Sequence, residues 1–256
     1  MEIINTFNAP IYEFDIIDST NKYAKNLCKD NPPTGTLIIS SEQTHGRGRF
    51  GNVWESPKNK GLYYSIIFKK ETKNLKYETL TLFISLGITK LLEDYSLSSK
   101  IKWPNDILFN GKKICGILSE MCSTNFGDFI IVGIGINLYH EENDFPKELR
   151  EKATSLKLNT STLVIKNHFI NSLTKYIFEY YNKFLNENFE NIIDEYTNKS
   201  SLVNKEITLT INREEVCGKV LGFNNSGHLI LNTKNKILHI NSGEVSLKNT
   251  YKKVDT

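Results

Sequence analysis

The sequence predicts an α+β protein, with a mixed central β-sheet flanked by helices and a small C-terminal β-barrel. Three observations carry this expectation. Short apolar runs alternate with helically spaced apolar residues up to position 138. A single amphipathic helical pattern follows over residues 163–185. From Lys205 onward the pattern shortens to alternating strands separated by turn residues. The expected boundary separates a larger domain, residues 1–200, from a small terminal one, residues 201–256.

Each element follows from its residues. Positions 11–17 read as a strand, after which Ser19 or Thr20 caps a helix through about Cys28, their short side chains able to satisfy its first N–H groups. Pro32, Pro33 and Gly35 end that helix and launch a strand at residues 36–40. Residues 62–68 form another apolar strand, and residues 77–95 place Leu80, Phe83, Ile84, Ile88 and Leu91 at helical spacing. Ile101 leads a strand that Pro104 interrupts, and Asn110-Gly111 favours a tight hairpin turn, so Lys113 begins a strand across from Asp106. The almost continuously apolar residues 129–138 belong in the middle of the sheet. Residues 141–157 are polar and read as a loop with a short helix. Phe169, Leu173, Tyr176, Ile177, Tyr180 and Phe184 then make a helical face that packs on the core. The terminal strands are 207–211, 216–223, 229–231 and 237–240.

Composition excludes several classes. A chain of 256 residues can bury a full core and still carry a second small domain. Its 32 basic and 29 acidic residues leave a net charge of +3, too little for a dedicated nucleic-acid binder. Cys28, Cys115, Cys122 and Cys217 are widely spread, which suits reduced core thiols in the cytoplasm better than a disulfide frame or a zinc site. The five histidines show no metal-ligand spacing, so no metal ligands are assigned. No apolar segment reaches membrane-spanning length, and the start has no secretory pattern.

Two polar constellations stand out. Gly46-Arg47-Gly48-Arg49-Phe50-Gly51, with Gln43 before and Trp54 after, combines fixed positive charge, bare backbone and an aromatic ring. Arginine offers a planar fork of donors, and glycine lets backbone N–H groups approach an anion. Such a loop suits an anion grip; a mobile surface turn or an RNA-binding stretch would carry the same residues. The second constellation is Lys102-Trp103-Pro104-Asn105-Asp106, followed by Lys112-Lys113-Ile114-Cys115-Gly116. Lys112 reads as solvated, whereas Lys113 adjoins core-like residues.

These pieces resemble the biotin protein ligases. The resemblance rests on Ser19-Thr20-Asn21, Glu42-Gln43-Thr44 running into the arginine loop, Trp54-Glu55-Ser56-Pro57, residues 102–106, residues 113–120 and Gly133-Ile134-Gly135-Ile136-Asn137, all in the family's order. A weaker match continues to Gly243-Glu244-Val245-Ser246-Leu247. The resemblance implies a class II synthetase-like catalytic domain that couples biotin to ATP, forming biotinyl-5′-AMP, and transfers biotin to a lysine of a biotin carboxyl carrier protein. The implied enzyme is a biotin-[acetyl-CoA-carboxylase] ligase, with Mg²⁺ sharing the charge of the pyrophosphate. By resemblance Lys113, Arg47, Arg49 and Asp106 are catalytic. Ser19, Thr20, Asn21, Gln43, Gly48 and Gly116 join Arg47, Arg49 and Lys113 around biotin. Trp54, Lys102, Asn105 and Asn137, with the two arginines, hold ATP or the adenylate.

Alternatives remain at several positions. Ser19 and Thr20 also read as plain helix caps, Trp54 as packing, Asp106 as a turn-former, and Lys102 as an ion-pair partner of Asp106. For the whole chain, a lipoate or octanoate ligase or transferase shares the fold, and a nucleic-acid-binding module would use the arginine loop. The few residues ahead of Ile11 leave no room for a helix-turn-helix, so DNA binding is not expected. Homodimer pairing through an exposed sheet edge is a further expectation.

Two positions depart from the family's pattern. His45 replaces a small residue, and Asn52 stands where the family tends to carry a basic one. A positive charge at 52 adds a charge-assisted partner for the triphosphate, so Asn52→Arg is expected to tighten ATP binding. Calorimetric titration of the variant checks this, and unchanged or weaker binding refutes it.

Overall fold

Two sheets organise the chain, and the elements that build them come in two separate runs of sequence. The computed structural model describes residues 2–71, 75–211 and 214–247. The first sheet contains β1 (Ile11–Ile17), β2 (Thr36–Gln43), β3 (Gly61–Lys69), β4 (Lys100–Lys102), β5 (Asp106–Phe109), β6 (Lys112–Thr124) and β7 (Gly127–Asn137), in the order β1-β2-β3-β7-β6-β5-β4. The apolar run at β7 occupies the fourth of seven places, where both neighbours bury it. Only β1 and β2 pair in parallel, a connection made by α1 (Thr20–Leu27); every other ladder is antiparallel.

Strand alternation sends side chains to two different cores. On one face Leu62, Tyr64, Ile66 and Phe68 of β3 join the main cluster with α2 (Leu80–Glu93) and α3 (Lys166–Asn186). The predicted α3 stripe is there: Phe169, Leu173, Ile177, Tyr180 and Phe184 are buried, and Tyr176 is partly buried. On the other face Ala24 and Cys28 pack with Ile38, Ile67, Phe129 and Ile131 beneath α1. Tyr63 and Ser65 point to this second face, at the end of the sheet where α1 begins. Asn110 and Gly111 both have positive φ, 47° and 80°, as the two-residue hairpin turn requires.

Three local expectations need correction. Ser19 occupies the N-cap of α1 but its side chain makes no capping bond; the Thr20 N–H donates instead to Gln43 Oε1, 2.9 Å away. Strand β2 runs on to Gln43 because it pairs with β1 as far as Ile17, beyond the point where its own apolar run stops. A helix α4 (Phe189–Lys199) follows α3 in a stretch to which the sequence pattern assigned no element; it buries Phe189, Ile192 and Tyr196.

The second sheet contains β8 (Glu206–Ile211), β9 (Glu214–Phe223), β10 (Leu229–Asn232), β11 (Ile237–Ile240) and β12 (Glu244–Leu247), in the order β11-β10-β9-β8-β12, all antiparallel. The expected small barrel takes this form, with no ladder joining β11 to β12 among the described residues. Cys217 lies on its exposed face, so only Cys28, Cys115 and Cys122 are the buried thiols anticipated. Among the described residues, no helix is long and apolar enough to cross a membrane.

The two sheets meet at a few identifiable contacts. Tyr196 of α4 packs edge-on against Phe223 with ring centroids 4.9 Å apart. Trp103, 2% exposed, donates its indole N–H to Gly227 O at 3.1 Å. Phenylalanine at 103 would keep most of the ring but leave that carbonyl without this donor. Trp103→Phe is therefore expected to cost about 1–3 kcal/mol, read by urea unfolding. Wild-type stability in the variant would show that the bond contributes nothing.

Candidate active site

The cleft lies on the α1 side of the first sheet, where three segments converge on the centre of β6 and β7. Its floor is backbone. Gly116 pairs with Gly135 and Leu118 with Gly133, so three of the four residues at these two alternate rungs carry no side chain toward the cleft. The space above is already used: a Cβ at Gly133 would overlap Asn21 Oδ1, and one at Gly135 would overlap the indole of Trp54.

One end of the cleft is a hydrogen-bonded polar wall. Ser19, Thr20 and Asn21 are each less than 5% exposed. Gln43 Oε1 accepts the Thr20 N–H, its Nε2 donates to Ser56 Oγ at 3.0 Å, and the Ser56 hydroxyl donates to Trp54 O at 2.9 Å. The Ser65 hydroxyl donates to Asn21 Oδ1 at 2.7 Å and lies equally near Thr20 Oγ1. Asn21 Nδ2 donates to Leu118 O at 3.2 Å and Glu120 Oε2 at 2.8 Å. Buried amides and hydroxyls held this way are fixed in direction, which suits a small ring with both N–H and C=O groups.

The other end is cationic. Residues 46–54 form a tight hairpin: Gly48 N–H donates to Asn52 O at 2.7 Å, Trp54 N–H donates to Gly46 O at 3.1 Å, and Arg47 bridges Val53. At its tip Phe50 has φ 55° and is 67% exposed, with the Arg49 guanidinium 4.8 Å above its ring. Arg47 NH1 lies 3.7 Å from Glu120 Oε1. Arg49 donates to Asn105 Oδ1 and to Ser242 Oγ, both at 3.1 Å, and so reaches from the hairpin to the second sheet. Lys113 Nζ pairs with Asp106 Oδ1 at 2.6 Å and sits 5.2 Å from the Trp54 ring. Behind it, burial pushes the Cys115 thiol far up, so that group stays neutral.

Trp54 closes the cleft over its glycine floor. Only about 60 Å³ stays open beneath it. The indole N–H is buried without a partner among the described residues, an arrangement that favours a shift toward any acceptor a ligand brings.

The fate of the predicted site residues is therefore specific. Ser19, Thr20, Asn21, Gln43, Arg47, Gly48, Arg49, Trp54, Asn105, Lys113 and Gly116 line this one cleft. Lys102 and Asp106 line an adjoining cleft of about 140 Å³ that shares Arg49, Trp54, Asn105 and Lys113. Asp106 takes Lys113 as its ion-pair partner. Asn137 is not brought into either cleft; it is buried and its Nδ2 donates to Thr154 O at 2.9 Å. His140 is 2% exposed and stacked on Phe145, its pKa pushed down to about 4 by burial.

Sequence reasoning had given no role to Glu120, Ser65 or Ser242. The period-two pattern of β6 did hold a signal for the first, because Gly116, Leu118 and Glu120 share a face. Ser65 and Ser242 are hydroxyls amid apolar or turn residues, and only the tertiary contacts mark them.

Comparison with known proteins agrees with this arrangement. The profile of the biotin/lipoate A/B protein ligase family matches residues 13–137, and that of the biotin protein ligase C terminal domain matches residues 202–248. The bifunctional ligase/repressor BirA of Bacillus subtilis is 33% identical over 235 residues, covering 91% of this chain and 72% of that protein. A biotin–[acetyl-CoA-carboxylase] ligase of Mycobacterium tuberculosis is 29% identical over 127 residues, covering 48% of this chain and 45% of that one. The structure of the biotin protein ligase from Aquifex aeolicus in complex with biotin and ATP superimposes with a TM-score of 0.81 at 32% identity, covering 93% of this chain and 98% of that one. With both of its sheets matched in one order, and its clefts lined by the residues on which the resemblance rests, the chain belongs to the biotin protein ligase family.

Proposed function

We propose that the cleft activates biotin with ATP, forming biotinyl-5′-AMP and pyrophosphate, and then passes the biotinyl group to a lysine of a carrier domain. The observation that carries this reading is the joining of a buried neutral polar wall and three cationic side chains, Arg47, Arg49 and Lys113, across one strip of bare backbone. A ureido ring fits the wall, whose Thr20, Asn21, Gln43 and Ser65 groups otherwise bond one another. The carboxylate at the far end of the same ligand then reaches the cations.

The first step brings two anions together. Two unit charges 4 Å apart repel by about 4 kcal/mol at an effective dielectric of 20, so cations placed between them lower the barrier. Arg47 and Lys113 are assigned to the carboxylate and the α-phosphate oxygens, and Arg49 and Lys102 to the phosphates. No protein nucleophile is needed, and positioning supplies the remainder. Trp54 covers the ligand and keeps water from the mixed anhydride. Asn105 orients Arg49, and Asn137 acts at a distance by pinning the segment at Thr154.

In the second step the incoming lysine amine attacks the activated carbonyl, AMP leaves, and Asp106, on the wall of the adjoining cleft, is assigned to orient that amine. Mg²⁺ suits the chemistry as a counter-ion carried on the triphosphate, because such ions are held chiefly by phosphate oxygens and water with one or two carboxylates. Among the described residues no group of three or more His, Cys, Asp or Glu forms a cage, and Asp106 is the carboxylate that would help hold such an ion if released from Lys113. The carrier in this reading is a biotin carboxyl carrier protein of acetyl-CoA carboxylase or a related enzyme in the cytoplasm, with the catalytic unit ending near residue 200. The start of the second family match at residue 202 and of β8 at Glu206 supports that boundary. A lipoate or octanoate ligase is disfavoured by the C-terminal domain match, which is to biotin protein ligases.

Exchange of labelled pyrophosphate into ATP tests the reading: it is expected with biotin and absent with lipoate and octanoate. Folded, magnesium-supplied protein that shows no exchange with biotin would falsify it. Lys113→Ala is expected to lower that exchange by about 10²–10³-fold, the range for losing one transition-state charge partner. Its folding stability is expected to change by about 1 kcal/mol or less, since both members of the ion pair are partly exposed. Exchange at the wild-type rate would remove Lys113 from the chemistry.

A further inference from the structure

A negative charge stands beside the cleft where anions are to be bound, in contact with two of its lining residues. Glu120 shares a face of β6 with Gly116 and Leu118, and its side chain is 22% exposed. Its two oxygens are used differently. Oε2 accepts the Asn21 Nδ2–H at 2.8 Å, and Oε1 lies 3.7 Å from Arg47 NH1.

Asn21 is held on several sides: its Oδ1 accepts from Ser65, its Nδ2 also reaches Leu118 O, and it fills the space above Gly133. Glu120 is therefore anchored through the floor. Arg47 is the adjustable member, on the hairpin and 54% exposed. A carboxylate beside the anion grip would oppose every ligand charge if its only effect were Coulombic repulsion. Its contact with Arg47 gives it another effect, because an incoming carboxylate or phosphate must take that guanidinium from it. The pair is easily exchanged, since a partly exposed ion pair at this separation is worth less than a bidentate charge-assisted contact.

We infer that Glu120 is a positioning residue that holds Arg47 against the cleft floor before ligand binding and yields it to the anionic group of the ligand. The hairpin thereby responds to the ligand's charge, and a neutral molecule of the same shape does not release it. This rests on the reading that Arg47 receives the biotin carboxylate or the α-phosphate.

Glutamine at 120 keeps an acceptor for Asn21 and removes the charge, so Glu120→Gln separates the two uses. Biotin and its neutral alcohol analogue, in which the carboxylate is replaced by a hydroxymethyl group, are titrated calorimetrically into the full-length wild-type and variant chains. Biotin is expected to bind the variant about two- to fivefold more tightly, the span set by exposed ion pairs, and the alcohol to bind both chains alike. Unchanged or weaker biotin binding, or an equal shift for both ligands, overturns the inference. Should Glu120→Gln fail to fold, Glu120→Asp withdraws the charge by one methylene and is expected to tighten biotin by a smaller factor; no tightening there overturns it as well. Wild-type protein that binds neither ligand would count against the functional reading itself.

Discussion

The site depends on one backbone constraint, the antiparallel ladder between β6 and β7 at the centre of the first sheet. Strands flanked on both sides have little freedom to shift register, because a one-residue slip would reverse every side chain. That rigidity places Gly116, Gly133 and Gly135 together and leaves a strip without side chains. Three of the groups that line the cleft are built against this strip. Asn21 reaches it from α1, Trp54 covers it from the hairpin, and Lys113 stands at its edge where β6 begins. The flexible groups are thus registered against the least deformable part of the fold.

Charge is organised on the same strip. Each of the three cations has a partner before any ligand arrives: Arg47 has Glu120, Lys113 has Asp106, and Arg49 has Asn105 and Ser242. Isolated charges held close together would repel and would cost desolvation, and pairing relieves both. Binding then becomes an exchange of partners, in which the gain is the difference between two contacts instead of the whole of one. Such a site discriminates by the quality of the replacement.

Much of the site was legible because its residues are clustered in sequence. The loop from Gln43 to Trp54 and the block from Lys102 to Asp106 carry chemistry that local composition already singles out, and the structure brings them together. Central strand β7 was legible because a run apolar on both faces has few other places to go. What escaped was relational. Ser19 looked like a helix cap, yet the first N–H of α1 is taken by Gln43, more than twenty positions away. Asn137 sits at the end of a motif and faces the core segment at Thr154 instead of the cleft. Glu120 ends the family-like segment 113–120, but its meaning comes from Arg47 and Asn21, neither of which is near it in sequence. Helix α4 went unread because its buried face is short, only Phe189, Ile192 and Tyr196 among eleven residues of a largely polar stretch.

The contact between Arg49 and Ser242 ties one arginine of the hairpin to the turn that joins β11 and β12. A small appended sheet is often pictured as an interchangeable handle. Here a side chain of the cleft bonds it directly, and Trp103 holds it by a second bond, to Gly227, around the same cavity. Grafting the terminal sheet of a relative onto this chain would therefore exchange a partner of the cleft's own arginine along with it.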